Sequence, residues 1–231
     1  MPNLCIIPAR GGSKRIPRKN IKDFLGKPII AYSIEVALNS GLFDEVMVST
    51  DDKEIAEIAI KYGAKVPFFR SKMNSNDFAT TFDVIEEVLN NYMNENIEFE
   101  NSCIIYPCAP LLNIRNLKLA FYKLVNDNFD SVWPIVKFGN SVQRSFKTIG
   151  EKVVMFYPEF KNMRSQDLEN AFYDPGQFYW IRNKSILSGG FIYSNNSSYI
   201  ILDEIETQDI DNLNDWKLAE MKFNLLNKNE N

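Results

Sequence analysis

Short apolar runs alternate with helix-length amphipathic segments from the N-terminus to about residue 137. This alternation constrains the fold more than any single residue does, because neighbouring parallel strands must be joined by a crossover of roughly a dozen residues or more. Residues 4–8 form a buried strand by length and composition. Pro28 opens a helical pattern through Ala31, Ile34, Val36 and Leu38, and Gly41 closes it. A second strand covers 46–49, a helix spans 52–62 and ends at Gly63, and a short strand surrounds Val66. A longer helix follows over about 79–93, then a buried strand at 103–106 and a helix over about 117–125. Ser131, Val132 and Trp133 continue the rhythm. The pattern predicts an α/β fold with a mostly parallel sheet and helices on both faces.

After Lys137 the rhythm breaks. Residues 142–147 and 152–156 read as short strands around the turn at Ile149, Gly150 and Glu151, a hairpin-like insertion. Strands at 177–181 and 199–202 and a closing helix over about 213–226 restore regularity, and 227–231 reads as a frayed tail. The 231 residues, 45% of them hydrophobic, suffice for one domain over 1–231, with an insertion subdomain at about 138–175 and no need of disulfide or metal staples. A net charge of −4 argues against broad nucleic-acid binding. No run approaches the roughly 18 apolar residues of a membrane span, and the start lacks the pattern of a signal peptide. Cys5, Cys103 and Cys108 are odd in number and contain no C-x-x-C pair, so buried reduced thiols and a cytoplasmic setting are expected. The chain has no histidine. Ser-His-Asp and Cys-His chemistry and His-ligated metals are therefore excluded, and any reaction must use carboxylates, Lys, Arg, hydroxyls, amides or an oxygen-ligated metal.

The first strand runs into Pro8, Ala9, Arg10, Gly11, Gly12, Ser13, Lys14 and Arg15. Ligands of open α/β sheets bind beyond the carboxyl ends of strands. Paired glycines let backbone amides approach an anion and form a nest. Arg10, Lys14, Arg15, Arg18, Lys19, Lys22 and Lys27 crowd this stretch, opposed only by Asp23. The segment is neither G-x-x-x-x-G-K-[ST] nor G-x-G-x-x-G. A solvated basic loop is the plain alternative; the position after the first strand favours phosphate binding. Farther on, the six acidic residues of 203–215 include Asp209 and Asp211, whose spacing of two puts both on one face of extended backbone. Such a pair suits Mg²⁺, and equally Asp211 or Asn212 could cap the last helix with Asp215 in its first turn.

Ile7-Pro8-Ala9-Arg10-Gly11-Gly12-Ser13-Lys14 followed by Lys19-Asn20 resembles the N-terminal signature of the CMP-sialic acid synthetases, the acylneuraminate cytidylyltransferases. Val48-Ser49-Thr50-Asp51 is similar to their second strand and turn, and Asp209-Ile210-Asp211 to their metal-binding segment. Within the family, Gln143-Arg144, 164–168 and 174–180 resemble the pseudaminic acid branch. Tyr106 in Tyr106-Pro107-Cys108-Ala109-Pro110 departs from the Gln-Pro-Thr-Ser-Pro of sialic acid enzymes. The resemblance implies a Rossmann-like nucleotidyltransferase core and a homodimer in which the irregular middle segment reaches the partner's site.

It also implies the chemistry. The anomeric hydroxyl of pseudaminic acid, an acidic nonulosonic sugar, would attack the α-phosphate of CTP, pyrophosphate would leave, and the CMP-sugar would serve bacterial surface-glycan or flagellin glycosylation. Pro8, Ala9, Arg10, Gly11, Gly12, Ser13, Lys14, Lys19 and Asn20 would then hold the nucleotide, with Arg70, Thr80 and Thr81. Taken alone, Arg70 reads as a loop charge and Thr80 as a helix cap equally well. Tyr106, Arg144, Arg164, Gln166, Asp174 and Gln177 would meet the sugar, the arginines suiting its carboxylate. Asp209 and Asp211 would hold Mg²⁺ or Mn²⁺, leaving capping to Asn212 and Asp215. Arg10, Lys19 and Asp211 are the expected catalytic residues, with Asp211, another carboxylate or a metal-bound hydroxide as base. The alternatives are the same chemistry on N-acetylneuraminic, legionaminic or 3-deoxy-octulosonic acid, or a non-catalytic nucleotide sensor, against which the basic loop and the Asp pair argue.

Overall fold

A computed structural model of the chain describes residues 2–190 and 192–228. The chain runs β1 (Asn3–Pro8), β2 (Asp23–Phe24), β3 (Lys27–Pro28), α1 (Ile29–Ser40), β4 (Glu45–Ser49), α2 (Lys53–Lys61), α3 (Thr81–Asn94), β5 (Asn101–Ile105) and α4 (Ile114–Asn126). It continues with β6 (Ser131–Lys137), β7 (Phe146–Ile149), β8 (Lys152–Met155), β9 (Phe172–Tyr173), β10 (Phe178–Arg182), α5 (Asn183–Leu187), β11 (Ser197–Leu202) and α6 (Leu213–Lys228). Caps fix several of these boundaries. Gly41 adopts φ 67 after α1, Asp52 accepts the Ile55 amide at the start of α2, and a Thr80–Asp83 capping box starts α3.

The central sheet has the order β11-β6-β10-β5-β1-β4, with β9 also paired to β6. Strand β1 lies parallel to β4 and β5, and β11 parallel to β6. Alternation along β1 divides the core. Cys5 and Ile7 face Ile30 and Ile34 of α1, Ile55 of α2 and Leu117 and Leu124 of α4. Leu4 and Ile6 face Ile85, Val88 and Tyr92 of α3 and Ile186 of α5. Among the described residues, no helix is long and apolar enough to cross a membrane.

Several local features differ from the sequence reading. Strand β10 runs antiparallel to both β5 and β6. The four residues 174–177 that separate it from β9 are too few for a crossover, so β9 and β10 pair successively along β6 in the same direction. Around Val66 only a single parallel bridge forms, Lys65 to Met47, because Pro67 cannot donate to a ladder. Residues 142–144 make a 3₁₀ turn, and the hairpin ladder begins at Phe146 as a separate two-stranded sheet of β7 and β8. Of the expected tail, Asn227 and Lys228 belong to α6; residues 229–231 lie outside the described residues.

Candidate active site

A recess of about 580 Å³ opens beyond the carboxyl ends of β1 and β5, within the size range of small-molecule sites. Pro8, Arg10, Ser13, Lys14, Arg15, Lys19 and Asn20 line one side, and Arg70, Asp77, Thr80, Thr81, Tyr106, Gly176 and Asp209 complete it. Five cations thus face two carboxylates on the walls. The basic loop hangs from the sheet edge: the Ala9 amide donates to the Ser49 carbonyl at 2.9 Å, and the buried Asn20 amide group donates to the Arg10 carbonyl at 2.9 Å.

The glycine pair works differently from a simple amide nest. The Gly11 amide donates to Asp51 Oδ1 at 2.9 Å and the Ser13 amide to the Gly11 carbonyl at 3.0 Å. Neither Gly11 nor Gly12 has a positive φ. Gly11 is needed for close packing, since a Cβ there would stand 2.7 Å from Asp52 Oδ2, while one on Gly12 would meet nothing within 4 Å. Arg10 donates to the Asn76 carbonyl at 3.0 Å and to Asp77 Oδ1 at 2.9 Å, and Lys14 pairs with the same carboxylate. Lys14, and after it Arg10, holds the Asp77 carboxyl below its ordinary range. Arg70 is buried, donates from Nε to Ser49 Oγ at 3.0 Å, and is pushed down by burial to about 10, so it stays charged at neutral pH.

A small third core brings the acidic segment to the loop. Ile16 of the loop and Ile210, between the two aspartates, are buried with Phe24, Tyr32 and Trp216. With Ile210 turned inward, its neighbours Asp209 and Asp211 turn toward the basic loop. Lys19 Nζ donates to the Ile210 carbonyl at 2.6 Å, and Arg15 Nη2 pairs with Asp211 Oδ1 at 2.6 Å. Desolvation, and then the Asp211 charge, raises the Asp209 carboxyl above its ordinary value, with Lys19 opposing. A divalent cation would relieve that repulsion, so the donor set fits one. Among the described residues, no three Asp, Glu or Cys side chains converge as a metal cage. A metal here would therefore rest on two carboxylates and substrate oxygens, as Mg²⁺ does. Asn212 and Asp215 form the expected reciprocal cap: Asn212 Oδ1 accepts the Asp215 amide at 3.1 Å and Asp215 Oδ2 the Asn212 amide at 2.9 Å.

The expected sugar residues divide. Tyr106 lines the recess, with its hydroxyl 3.3 Å from Thr81 Oγ1. Thr80 lines the recess and caps α3. Asp174 accepts from the Gly176 amide and the Tyr179 and Tyr193 hydroxyls at 2.8, 2.7 and 2.6 Å, which anchors the break between β9 and β10 beside Tyr106. Gln177 is buried and donates to the Glu206 carbonyl at 2.9 Å. Arg144, Arg164 and Gln166 lie between β6 and β9 and are not among the recess residues, Arg144 donating to Ser165 and Arg164 pairing with Asp167. Sequence reasoning missed Arg15, Asp77 and Gly176 as wall residues. Arg15 sat in the basic cluster without an assigned partner, and nothing local marks Asp77 as the counter-ion of a loop more than sixty residues away. Cys5 and Cys103 are buried as expected, whereas Cys108 is half-buried at the recess, donates to Asn20 Oδ1 at 3.4 Å and has its thiol pushed up to about 12 by desolvation, which keeps it protonated at neutral pH.

The family model described as Cytidylyltransferase matches residues 4–219. The chain is 45% identical to the pseudaminic acid cytidylyltransferase of Campylobacter jejuni over 224 residues, 96% of this chain and 97% of that protein. It is 32% identical to the CMP-N,N'-diacetyllegionaminic acid synthase of Legionella pneumophila over 228 residues, 96% of each. Its fold matches the solved structure of CMP:2-keto-3-deoxy-manno-octonic acid synthetase with a TM-score of 0.73 at 17% identity, over 99% of this chain and 100% of the other. A basic loop at the head of the sheet, an acidic pair brought against it and these full-length matches lead to one conclusion: the chain belongs to the cytidylyltransferase family and is a CTP-dependent nucleotidyltransferase.

Proposed function

We propose that the chain transfers CMP from CTP to the anomeric hydroxyl of pseudaminic acid. The observation that carries this reading is the convergence of Arg10, Lys14, Arg15, Lys19 and Arg70 on one recess that also holds Asp209 and Tyr106. Five cations suit a triphosphate, and phosphoryl-type transfer needs positioning and charge neutralisation more than covalent chemistry. Arg10, Lys14 and Lys19 hold the phosphates, and Arg70 supplies buried charge behind them. The anomeric oxygen forms the new bond to the α-phosphorus as the bond to the β-phosphate oxygen breaks. Pyrophosphate leaves with that electron pair, and the hydroxyl proton passes to a carboxylate base. Mg²⁺ or Mn²⁺ held by Asp209 and Asp211 would supply Lewis acidity toward the α-phosphate.

The sugar assignment rests on the 45% identity to an enzyme named for pseudaminic acid and on Tyr106 at the recess wall. The insertion exposes Phe146 (59%), Ile149 (60%) and Val153 (66%), and this apolar hairpin supports a homodimer in which Arg144, Arg164 and Gln166 approach the second copy's recess. A monomer by light scattering would remove that element. The three cysteines are free thiols, which suits the reducing cytoplasm. Competition between pseudaminic acid and N-acetylneuraminic acid for limiting enzyme with excess CTP tests the substrate. Each buried polar group left unpaired by the wrong sugar costs about 1–3 kcal/mol, so pseudaminic acid should be preferred by about tenfold or more in kcat/KM. Equal consumption would refute the sugar assignment and leave the cytidylyltransferase chemistry standing.

A further inference from the structure

Seven basic residues stand between Arg10 and Lys27, and the recess takes Arg10, Lys14, Arg15 and Lys19. Lys22 lies over the Trp216 ring at 5.6 Å, and Lys27 pairs with Glu35 over the Tyr32 ring. Arg18 remains. Its backbone is left-handed, φ 55 and ψ 30, a conformation that residues with large side chains seldom adopt and that surrounding contacts must hold in place.

Those contacts are visible. The guanidinium turns away from the recess and grips Asp52 with two nitrogens, Nη1 on Oδ2 and Nη2 on Oδ1 at 2.9 Å, while Nη2 also meets Glu54. The same Asp52 carboxylate accepts the Ile55 amide at 3.0 Å to cap α2. It is also the group that fills the space a Gly11 Cβ would occupy. One carboxylate therefore ties together the start of the basic loop, its far end and the first turn of α2. The planar two-nitrogen fork of arginine suits this grip, and a lysine ammonium cannot reproduce it.

We infer that Arg18 is a positioning residue for CTP: through Asp52 it holds residues 10–19 in the conformation that turns Arg10, Lys14 and Lys19 into the recess. A loop fixed before binding loses less freedom when the triphosphate arrives, so the effect falls on nucleotide affinity. The inference rests on the proposed reading of this loop as the phosphate cradle.

Arg18→Gly separates the side chain from the backbone, because glycine adopts the left-handed conformation freely. CTP affinity is measured by calorimetry on the full chain, wild type beside Arg18→Gly and Lys14→Ala, with steady-state KM for CTP and for the sugar acid. The expected result for Arg18→Gly is a CTP Kd raised about tenfold, the scale of one lost charge-assisted contact, with the KM for the sugar acid unchanged. Added guanidinium ion at sub-denaturing concentration should restore much of the affinity, which it would not do for a merely destabilised fold. If Arg18→Gly does not fold, Arg18→Lys serves in its place and should weaken CTP about fivefold. Lys14→Ala weakening CTP while the Arg18 variant binds as wild type, or a loss shared equally by CTP and sugar without rescue, overturns the inference. If neither variant weakens CTP, the loop is not the phosphate cradle and the earlier reading falls with it.

Discussion

Gly11→Ala and Gly12→Ala should have opposite consequences although the residues are neighbours. An added Cβ at Gly11 would stand 2.7 Å from Asp52 Oδ2, 3.0 Å from its Cβ and 3.2 Å from its Cγ. Asp52 cannot move away freely, because Arg18 and the Ile55 amide both hold its carboxylate. Overpacking a tight site costs about 1–3 kcal/mol, and loss of the α2 cap alone costs about 1 kcal/mol. For a domain of this size each kcal/mol lowers the melting temperature by about 2–4 °C, so Gly11→Ala should fall by about 2–12 °C. At Gly12 a Cβ meets nothing within 4 Å, and the backbone needs no positive φ. Gly12→Ala should therefore be neutral or slightly stabilising, by up to about 1 kcal/mol, through the stiffer unfolded chain. Thermal unfolding of both purified variants beside wild type decides the matter. Equal losses in both, or an unchanged melting temperature for Gly11→Ala, would refute the claim that Asp52 packing sets the glycine requirement.

Lys19→Ala and Arg10→Ala should each lower kcat/KM for CTP by roughly tenfold to more than a hundredfold, the equivalent of one charge-assisted phosphate contact of about 1.5–3 kcal/mol; unchanged kinetics in both would exclude the loop from triphosphate binding. Activity should vanish with EDTA and return with Mg²⁺, and Asp209→Asn and Asp211→Asn should each cut turnover sharply with circular dichroism unchanged; near wild-type turnover in both would remove the metal assignment. The raised Asp209 carboxyl means that the folded, metal-free chain binds more protons than the unfolded chain between the ordinary carboxylate value and the raised one, so its contribution to stability falls as pH rises through that window. Wild type should accordingly lose stability relative to Asp209→Asn as pH rises above the ordinary carboxylate value of about 4; a difference that stays flat with pH would show that Asp209 is not desolvated.

Much of the fold was legible in local chemistry. Buried strands of five or six residues, helices bracketed by Asp52, Thr80, Gly41 and Gly63, and the Asn212–Asp215 cap follow from patterns that act over a few residues. The basic loop after β1 and the Asp209/Asp211 pair were recognisable for the same reason: each is a short run whose composition is anomalous by itself. Contacts across the chain were not legible. The direction of β10 depends on which edge of β6 remains for a strand arriving by a four-residue break, and no local propensity encodes that. The demand for glycine at position 11 is set by Asp52, and the counter-ion of Arg10 and Lys14 is Asp77. Residue type and short-range spacing determine which segments become strands, helices and charged loops. Which of those loops meet is decided by packing, as when Ile16 and Ile210 bury together and set two oppositely charged segments against one another, because apolar burial carries no sequence-local label for its partner.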